Sequence, residues 1–198
     1  MLQIFHGFPS ADMAAGVGAK GLLILDRDGV INQDSASFVK SPEEWLPLPG
    51  SIAAIARLSR AGYTVAVASN QSGLARGLFD RNALRAMHRK LRRLVSSEGG
   101  RVDRIVVCPH GPDDGCSCRK PKPGLLTRLA QHYGVSLVGV PAVGDSLRDL
   151  QAAAAAGATP ILVRTGNGEK TRMNLPVALR DVRIYDDLAA FAADALRR

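Results

Sequence analysis

Long apolar runs are missing from this chain of 198 residues. A helix needs about 20 consecutive apolar residues to cross a bilayer, and no stretch approaches that, so no membrane partner is expected. No basic segment precedes a continuous apolar stretch in the first twenty residues. A secretory leader is therefore not legible, and a cytoplasmic location is the expectation. Aromatic residues are scarce at 5%, which leaves few flat surfaces on which single-stranded bases could stack. Cysteine is scarce too. The three residues, Cys108, Cys116 and Cys118, are odd in number and close together. That is a poor disulfide framework and suits a metal site in a reducing compartment.

What is present begins with charge. There are 26 basic and 18 acidic residues, a net charge of +8, a balance that favours nucleic acid, anionic surfaces or phosphorylated small molecules. Much of the excess sits at Arg81, Arg85, Arg89, Lys90, Arg92 and Arg93, interleaved with Leu84, Met87, Leu91 and Leu94 at helical spacing. This predicts an amphipathic helix with a basic outer face, and a solvated face explains it better than a nucleic-acid partner does. A monomer is expected.

Along the chain, apolar strand-like runs alternate with helical patterns. Strands are predicted at 22–25, 63–68, 102–107, 141–144, 160–163 and 183–185. Helices are predicted at 51–61, over the basic segment capped by Asp80, from Pro123 to near Gly134, at 146–156 and at 187–196. Residues 27–49 hold three prolines and no sustained period, which predicts a long excursion. Residues 1–20 mix Gly, Ala, Ser and Pro without periodicity and are expected to be a poorly ordered extension. The remainder, 21–198, is expected to form one α/β domain, a Rossmann-like parallel sheet with helices on both faces. In such sheets ligands bind beyond the carboxyl ends of the strands.

Four short constellations fall at those ends. Asp26-Arg27-Asp28-Gly29 follows the first strand. Its two carboxylates can converge on one ligand, one as nucleophile and the other as general acid and base, and can bind a hard cation. Ser69-Asn70-Gln71-Ser72-Gly73 offers a hydroxyl and successive N–H groups to an anion. Arg119-Lys120-Pro121-Lys122-Pro123-Gly124 places two cations on a stiff backbone just before a helix, where Lys120 could clamp a phosphoryl oxygen and Arg119 a second anionic group. Gly144-Asp145-Ser146-Leu147-Arg148-Asp149 places Asp145 to complete a magnesium site with Asp26 and Asp28, and Asp149 to bond Lys120. Each alone is an ordinary turn, cap or surface loop. Together they supply a nucleophile, a proton shuttle, a hydroxyl, a lysine and a metal carboxylate, which are the parts of phosphoryl transfer.

A separate Cys108-x-His110-x5-Cys116-x-Cys118 array has three thiolates and an imidazole, a donor set for tetrahedral zinc. Four protein ligands leave no open position, so the role expected is structural. His6, His88 and His132 have no such neighbours and are expected at the surface or in packing. Trp45 is expected in the core.

The segments LLILDRDGVIN, VASNQSGLARG, CRKPKPGLL and VGDSLRDLQAA resemble the four motifs of the haloacid dehalogenase superfamily of phosphatases. More closely, the chain from about residue 21 to about residue 190 is similar to the bacterial D-glycero-D-manno-heptose-1,7-bisphosphate 7-phosphatases, with NQSGLARG, CRKPKPG and LVRTG as the specific phrases. That resemblance implies removal of the 7-phosphate in heptose precursor biosynthesis, without a large cap domain. Asp26 would attack phosphorus, and Asp28 would protonate the leaving oxygen and then activate water on the aspartyl-phosphate. Ser69 and Lys120 would steady the phosphoryl group. Mg2+ would be held by Asp26, Asp28 (through its carbonyl) and Asp145, and zinc by Cys108, His110, Cys116 and Cys118. Substrate contacts are expected from Arg27, from Asp34, Ser35, Ser37 and Phe38 at the entrance, from Asn70, Gln71 and Ser72, and from Arg119 and Ser146. A histidinol-phosphate phosphatase is the nearest rival, sharing the scaffold and a zinc loop, but its cationic substrate suits a basic rim less well. A non-catalytic nucleic-acid binder is the rival from another class, and retention of all four motifs argues against it.

Overall fold

The computed structural model describes residues 16–197. The expectation of a poorly ordered extension therefore lies, for residues 1–15, outside the described residues. From Gly18 the backbone is tied to the neighbouring strand: the Gly18 N–H donates to Thr64 Oγ1 at 2.8 Å and the Lys20 N–H to the Gly62 carbonyl at 3.1 Å.

Six strands form one sheet: β1 (Gly21–Leu25), β2 (Tyr63–Asn70), β3 (Arg104–Cys108), β4 (Pro141–Gly144), β5 (Thr159–Val163) and β6 (Arg183–Tyr185). Their order is β3-β2-β1-β4-β5-β6 and every pairing is parallel. Successive parallel strands need a crossover between them, supplied by α1 (Ser51–Arg60), α2 (Arg81–Ser97), α3 (Gly124–Tyr133), α4 (Leu147–Ala155) and α5 (Gly168–Met173), and α6 (Leu188–Ala195) follows the last strand.

The central strands are largely apolar because both faces are covered. Leu23, Leu25, Val65 and Val67 face a layer built from α1, α2 and α6, where Ile55, Leu58, Met87, Leu91 and Phe191 are buried. Leu22, Ile24, Ala66 and Ala68 face the opposite layer, with Leu125, Leu126 and Leu129 of α3 and Ala152 and Ala153 of α4. The period-two alternation of each strand thus divides its side chains between two cores. The chain moves outward from β1 through β2 to β3, then returns to pair β4 on the other side of β1. That reversal opens a crevice at the carboxyl ends of β1 and β4, the place where open α/β sheets take ligands.

Several sequence expectations are refined. Strand β2 runs two residues past the predicted end, so Ser69 and Asn70 close the strand instead of opening a loop. Strand β3 begins at Arg104, two residues late. Helix α5 and a 3-10 turn at Val177–Leu179 were not anticipated. The α5 sequence GEKTRM has no apolar period, and Gly168 lies so close to the Val163 carbonyl that an added Cβ would overlap it.

The excursion between β1 and α1 contains no named helix or strand among its described residues, yet it buries Val30, Ile31, Val39 and Trp45. Trp45 is wholly buried, as core. The basic helix α2 forms, with the Asp80 carboxylate accepting from the Ala83 N–H at 2.7 Å. Lys90 departs from the solvated face: its ammonium caps the carbonyls of Pro42 and Trp45 at 2.6 and 2.8 Å. His132 accepts its contact from Arg104 at 2.9 Å. His88 is held far below the usual imidazole range, at about 3, first by burial and then by the charges of Arg27 and Arg92. No helix among the described residues is long and apolar enough to cross a membrane.

Candidate functional site

The carboxyl ends of β1, β2 and β4 and the segment before α3 meet in a cleft of about 330 Å³. Asp26 leaves the end of β1, and its N–H donates to the Val143 carbonyl of β4 at 2.8 Å, which fixes it at the crossover between the two halves of the sheet. Lys120 enters from the opposite wall, 4% exposed, and donates to Asp26 Oδ1 at 2.8 Å and to the Ala68 carbonyl at 2.8 Å. Its third partner is Asp149 Oδ1 at 2.5 Å.

Asp149 is held by its other oxygen, which accepts from the Ser146 N–H at 3.0 Å and the Ser146 hydroxyl at 2.5 Å at the start of α4. A buried ammonium between two carboxylates stays charged. Burial works to lower the Lys120 pKa, but Asp149 and Asp26 outweigh it and hold the group above its usual range.

Asp145 follows β4 directly and lies beside Asp26. Carboxylate oxygens of Asp26, Asp145 and Asp149 lie within 4.8 Å of one another. Burial, followed by the charge of Asp149, raises Asp26 to about 7 against the pull of Lys120. Burial, with the charges of Asp149 and Asp26, raises Asp145 to about 8. Two oxygen-donor carboxylates raised this far, chiefly by burial, are short of positive charge, and a hard divalent cation fits that donor set. Both oxygens of Asp149 are already bonded to protein groups, which leaves Asp26 and Asp145 as the available side-chain ligands.

Two glycines allow the chain to close around Asp145. Gly29 and Gly166 have φ of +81° and +57°, and a Cβ on either would overlap the Asp145 carboxylate. The loop after β5 completes the enclosure: Asn167 donates its N–H to Asp145 Oδ2 at 2.7 Å, Thr165 its hydroxyl to the Gly29 carbonyl at 2.7 Å, and Thr171 its hydroxyl to the Asp145 carbonyl at 2.9 Å. Sequence reasoning singled out LVRTG as a phrase but assigned no role to this loop or to Asn167. The signal was its position, since it too follows the carboxyl end of a strand.

Asp28 is held away from the carboxylate cluster. Arg27 Nη2 donates to both of its oxygens at 2.8 and 2.9 Å and Nε to one at 3.1 Å, while Asn32 and Gln71 add bonds of 2.9 and 2.8 Å. Burial alone would raise Asp28, but Arg27 and these hydrogen bonds prevail and lower it. The side chain of Asp28 is thus no part of the carboxylate group that faces the cation position.

The same geometry gives several of the expected substrate contacts partners within the protein. Arg27 lines the cleft but is 1% exposed, and its guanidinium is paired with Asp28, which it positions. The Asn70 side chain pairs reciprocally with the Lys120 backbone at 3.1 Å in each direction. Gln71 bridges Asp28 to the Ser69 hydroxyl at 2.8 and 2.9 Å. Both amides are occupied by protein groups that they hold in place. Ser37 is exposed, is not among the residues lining the cleft, and gives its carbonyl to Lys40. Ser146 lines the cleft with its hydroxyl engaged by Asp149. Asp34, Ser35, Phe38, Ser72 and Arg119 line it as expected. Asp34 is tied to the far wall through Asn167 Nδ2 at 2.9 Å. Phe38 is the one non-glycine residue with positive φ, at 65°, among the described residues.

The Cys/His array closes into a second cluster at the carboxyl end of β3. Cys108 Sγ lies 3.7 Å from Cys116 Sγ, which is 3.6 Å from Cys118 Sγ. His110 Nδ1 is 3.6 Å from Cys108 and 3.3 Å from Cys118. All three cysteines are free. With metal–sulfur and metal–nitrogen bonds of about 2.3 and 2.0 Å, a tetrahedral ion needs S···S edges near 3.8 Å and S···N edges near 3.5 Å. The four ligand atoms therefore already stand at the corners of a site that could hold a metal. The cluster is coupled to the cleft, since Arg119 Nη1 donates to the His110 carbonyl at 3.2 Å.

Comparison with known proteins agrees with this arrangement. The family model described as HAD-hydrolase-like matches residues 117–191, and that described as polynucleotide kinase 3 phosphatase matches residues 23–145. The chain is 61% identical over 178 residues to the D-glycero-beta-D-manno-heptose-1,7-bisphosphate 7-phosphatase of Bordetella bronchiseptica, covering 89% of this chain and 98% of the relative. It is 57% identical to the protein of the same name from Pseudomonas aeruginosa, covering 90% and 99%. The crystal structure of the B. bronchiseptica D,D-heptose 1,7-bisphosphate phosphatase, complexed with magnesium and phosphate, superposes with a TM-score of 0.86 over 89% of this chain and 98% of that one.

Proposed function

Because the chain belongs to the D-glycero-beta-D-manno-heptose-1,7-bisphosphate 7-phosphatases, a family of HAD-like hydrolases, we propose that it removes the 7-phosphate of that bisphosphate in heptose precursor biosynthesis. The observation that carries this reading is the Asp26–Lys120 contact of 2.8 Å at the sheet crossover, with Asp145 beside it. It pairs a nucleophilic carboxylate with a fixed cation and a place for a second one.

In this reading an Asp26 oxygen attacks phosphorus in line. The new O–P bond forms as the bond to the sugar oxygen breaks, and Asp28 gives that oxygen its proton. Lys120 and the Ser69 hydroxyl face the phosphoryl oxygens. In the second step Asp28 takes a proton from water, which attacks phosphorus and frees Asp26. The lowered pKa of Asp28 keeps it ionised, as this second step requires. An arriving phosphate dianion favours its protonated form, as the first step requires. Arg27, Asn32 and Gln71 hold Asp28 in reach of both. When bound, a magnesium ion would neutralise charge on the phosphoryl oxygens, and Asp26 and Asp145 are the side chains that would hold it, with the Asp28 carbonyl as the expected third ligand. Zinc is proposed for Cys108, His110, Cys116 and Cys118, with a structural role, in a cytoplasmic enzyme.

The test is phosphate release from heptose 1,7-bisphosphate and from histidinol phosphate, by wild type and by Asp26→Asn, with and without Mg2+. Wild type should prefer the heptose bisphosphate and need the metal. Asp26→Asn should lose at least about a thousandfold in kcat, as loss of a nucleophile does. Near-normal turnover by Asp26→Asn would rule out the covalent route, and preference for histidinol phosphate would reassign the substrate.

A further inference from the structure

A second cavity of about 290 Å³ opens beside the cleft, between the Cys/His loop and the start of α4. The two spaces share Pro112, Arg119, Lys120 and Arg148 in their walls. Their charge differs sharply. Five aspartates line the main cleft, whereas the second cavity is lined by Arg119, Lys120, Lys122 and Arg148 and by no carboxylate.

Two of those four cations are already committed. The Lys120 ammonium is held by Asp26 and Asp149. The Lys122 ammonium caps the carbonyls of Gly115 and Cys116 at 3.3 and 2.7 Å. The two guanidinium groups remain. Arg119 gives one N–H to the His110 carbonyl, and Arg148 is exposed on the first turn of α4. Neither has an acidic partner among the described residues. Arg101, Arg164 and Arg172, exposed elsewhere on the surface, do have carboxylate partners. Arg76, the other arginine at the cleft mouth, is turned over the Phe38 ring at 5.7 Å. Two guanidinium groups without a carboxylate partner, both lining one small, carboxylate-free space, suit a phosphate, which guanidinium forks bind through paired N–H donors.

We infer that this second cavity seats the distal phosphate of the substrate, and that Arg148 is a specificity-determining ligand there beside Arg119. The inference rests on the bisphosphate reading above. It explains a division of labour along the substrate: the acidic, cation-requiring end of the cleft takes the phosphate to be cleaved, and the basic side cavity takes the one that stays. Arg148 is two residues from Ser146 on the helix that also presents Asp149, so one element positions both ends.

The experiment compares wild type, Arg148→Ala and Arg148→Lys on heptose 1,7-bisphosphate and on heptose 7-phosphate, which lacks the distal group. Loss of one charge-assisted phosphate contact should lower the bisphosphate-to-monophosphate ratio of kcat/KM about ten- to a hundredfold in Arg148→Ala. Arg148→Lys should recover part of it. Thermal melting of both variants checks folding, and the exposed position should leave it unmoved. A ratio equal to wild type, or an equal loss on both substrates, would overturn the inference while the functional reading stood. A wild type that leaves the bisphosphate untouched would overturn both.

Discussion

Lys120 illustrates how much of the site hangs on single side chains. It is buried between Asp26 and Asp149, so replacing it does more than remove a contact to phosphate: it strands two carboxylates in a low-dielectric interior. Breaking a buried ion pair from one side costs about 3–5 kcal/mol. In a chain of this size that corresponds to a Tm lower by roughly 6–20 °C. Lys120→Met should therefore both abolish turnover and melt early, and Lys120→Met combined with Asp149→Asn should recover part of the Tm but not the rate. Calorimetry and phosphate release on the two variants check this; a single variant that melts like wild type would mean that the ammonium does not neutralise these acids. Asp26, Ser69, Lys120 and Asp145 were legible in the sequence because each sits where an apolar run ends or a proline-rich turn begins. Arg27, Asn70 and Gln71 also line the cleft, and their partners within the protein were not legible. Their identities suit ligand binding, but which way each side chain folds depends on partners up to 50 residues away.

At the scale of elements, the segment from the end of β3 to the start of α3 stands out. It has no named helix or strand of its own, and its four clustered Cys and His side chains would tie it together through a bound metal. Cys116→Ser should lower zinc from about one ion per chain, lower the Tm, and reduce activity through displacement of Arg119 and Lys120. Metal analysis, melting and rate report the three effects, and unchanged zinc content would remove the array from the metal assignment. The strands and most helices were legible from period and punctuation, because Gly62, Gly134 and Gly157 follow helices that bury an apolar stripe. Helix α5 was not legible: it is short and polar, and its placement comes from close backbone approach to β5 and from Thr171 bonding the Asp145 carbonyl.

At the scale of the whole molecule, one parallel sheet gathers functional groups from all along the chain at the carboxyl ends of its strands. The acids that face one another there should make stability depend on the proposed cation. Millimolar Mg2+ should raise the Tm of wild type, since ligand bound only by the folded state stabilises it by mass action. Asp145→Asn should remove that response while leaving the fold intact, with differential scanning fluorimetry as the readout. A rise of equal size in the variant would place the ion elsewhere. The loop after β5 adds a constraint in time. Thr165 and Asn167 close on Gly29, Asp34 and Asp145 across as many as 136 residues of sequence. Synthesis proceeds from the amino end, and domains form as their parts emerge. A nascent chain that has delivered Asp26, Ser69, Lys120, Asp145 and Asp149 thus carries every charged group of the site but lacks the wall that closes over the cation position, so competence arrives late in translation.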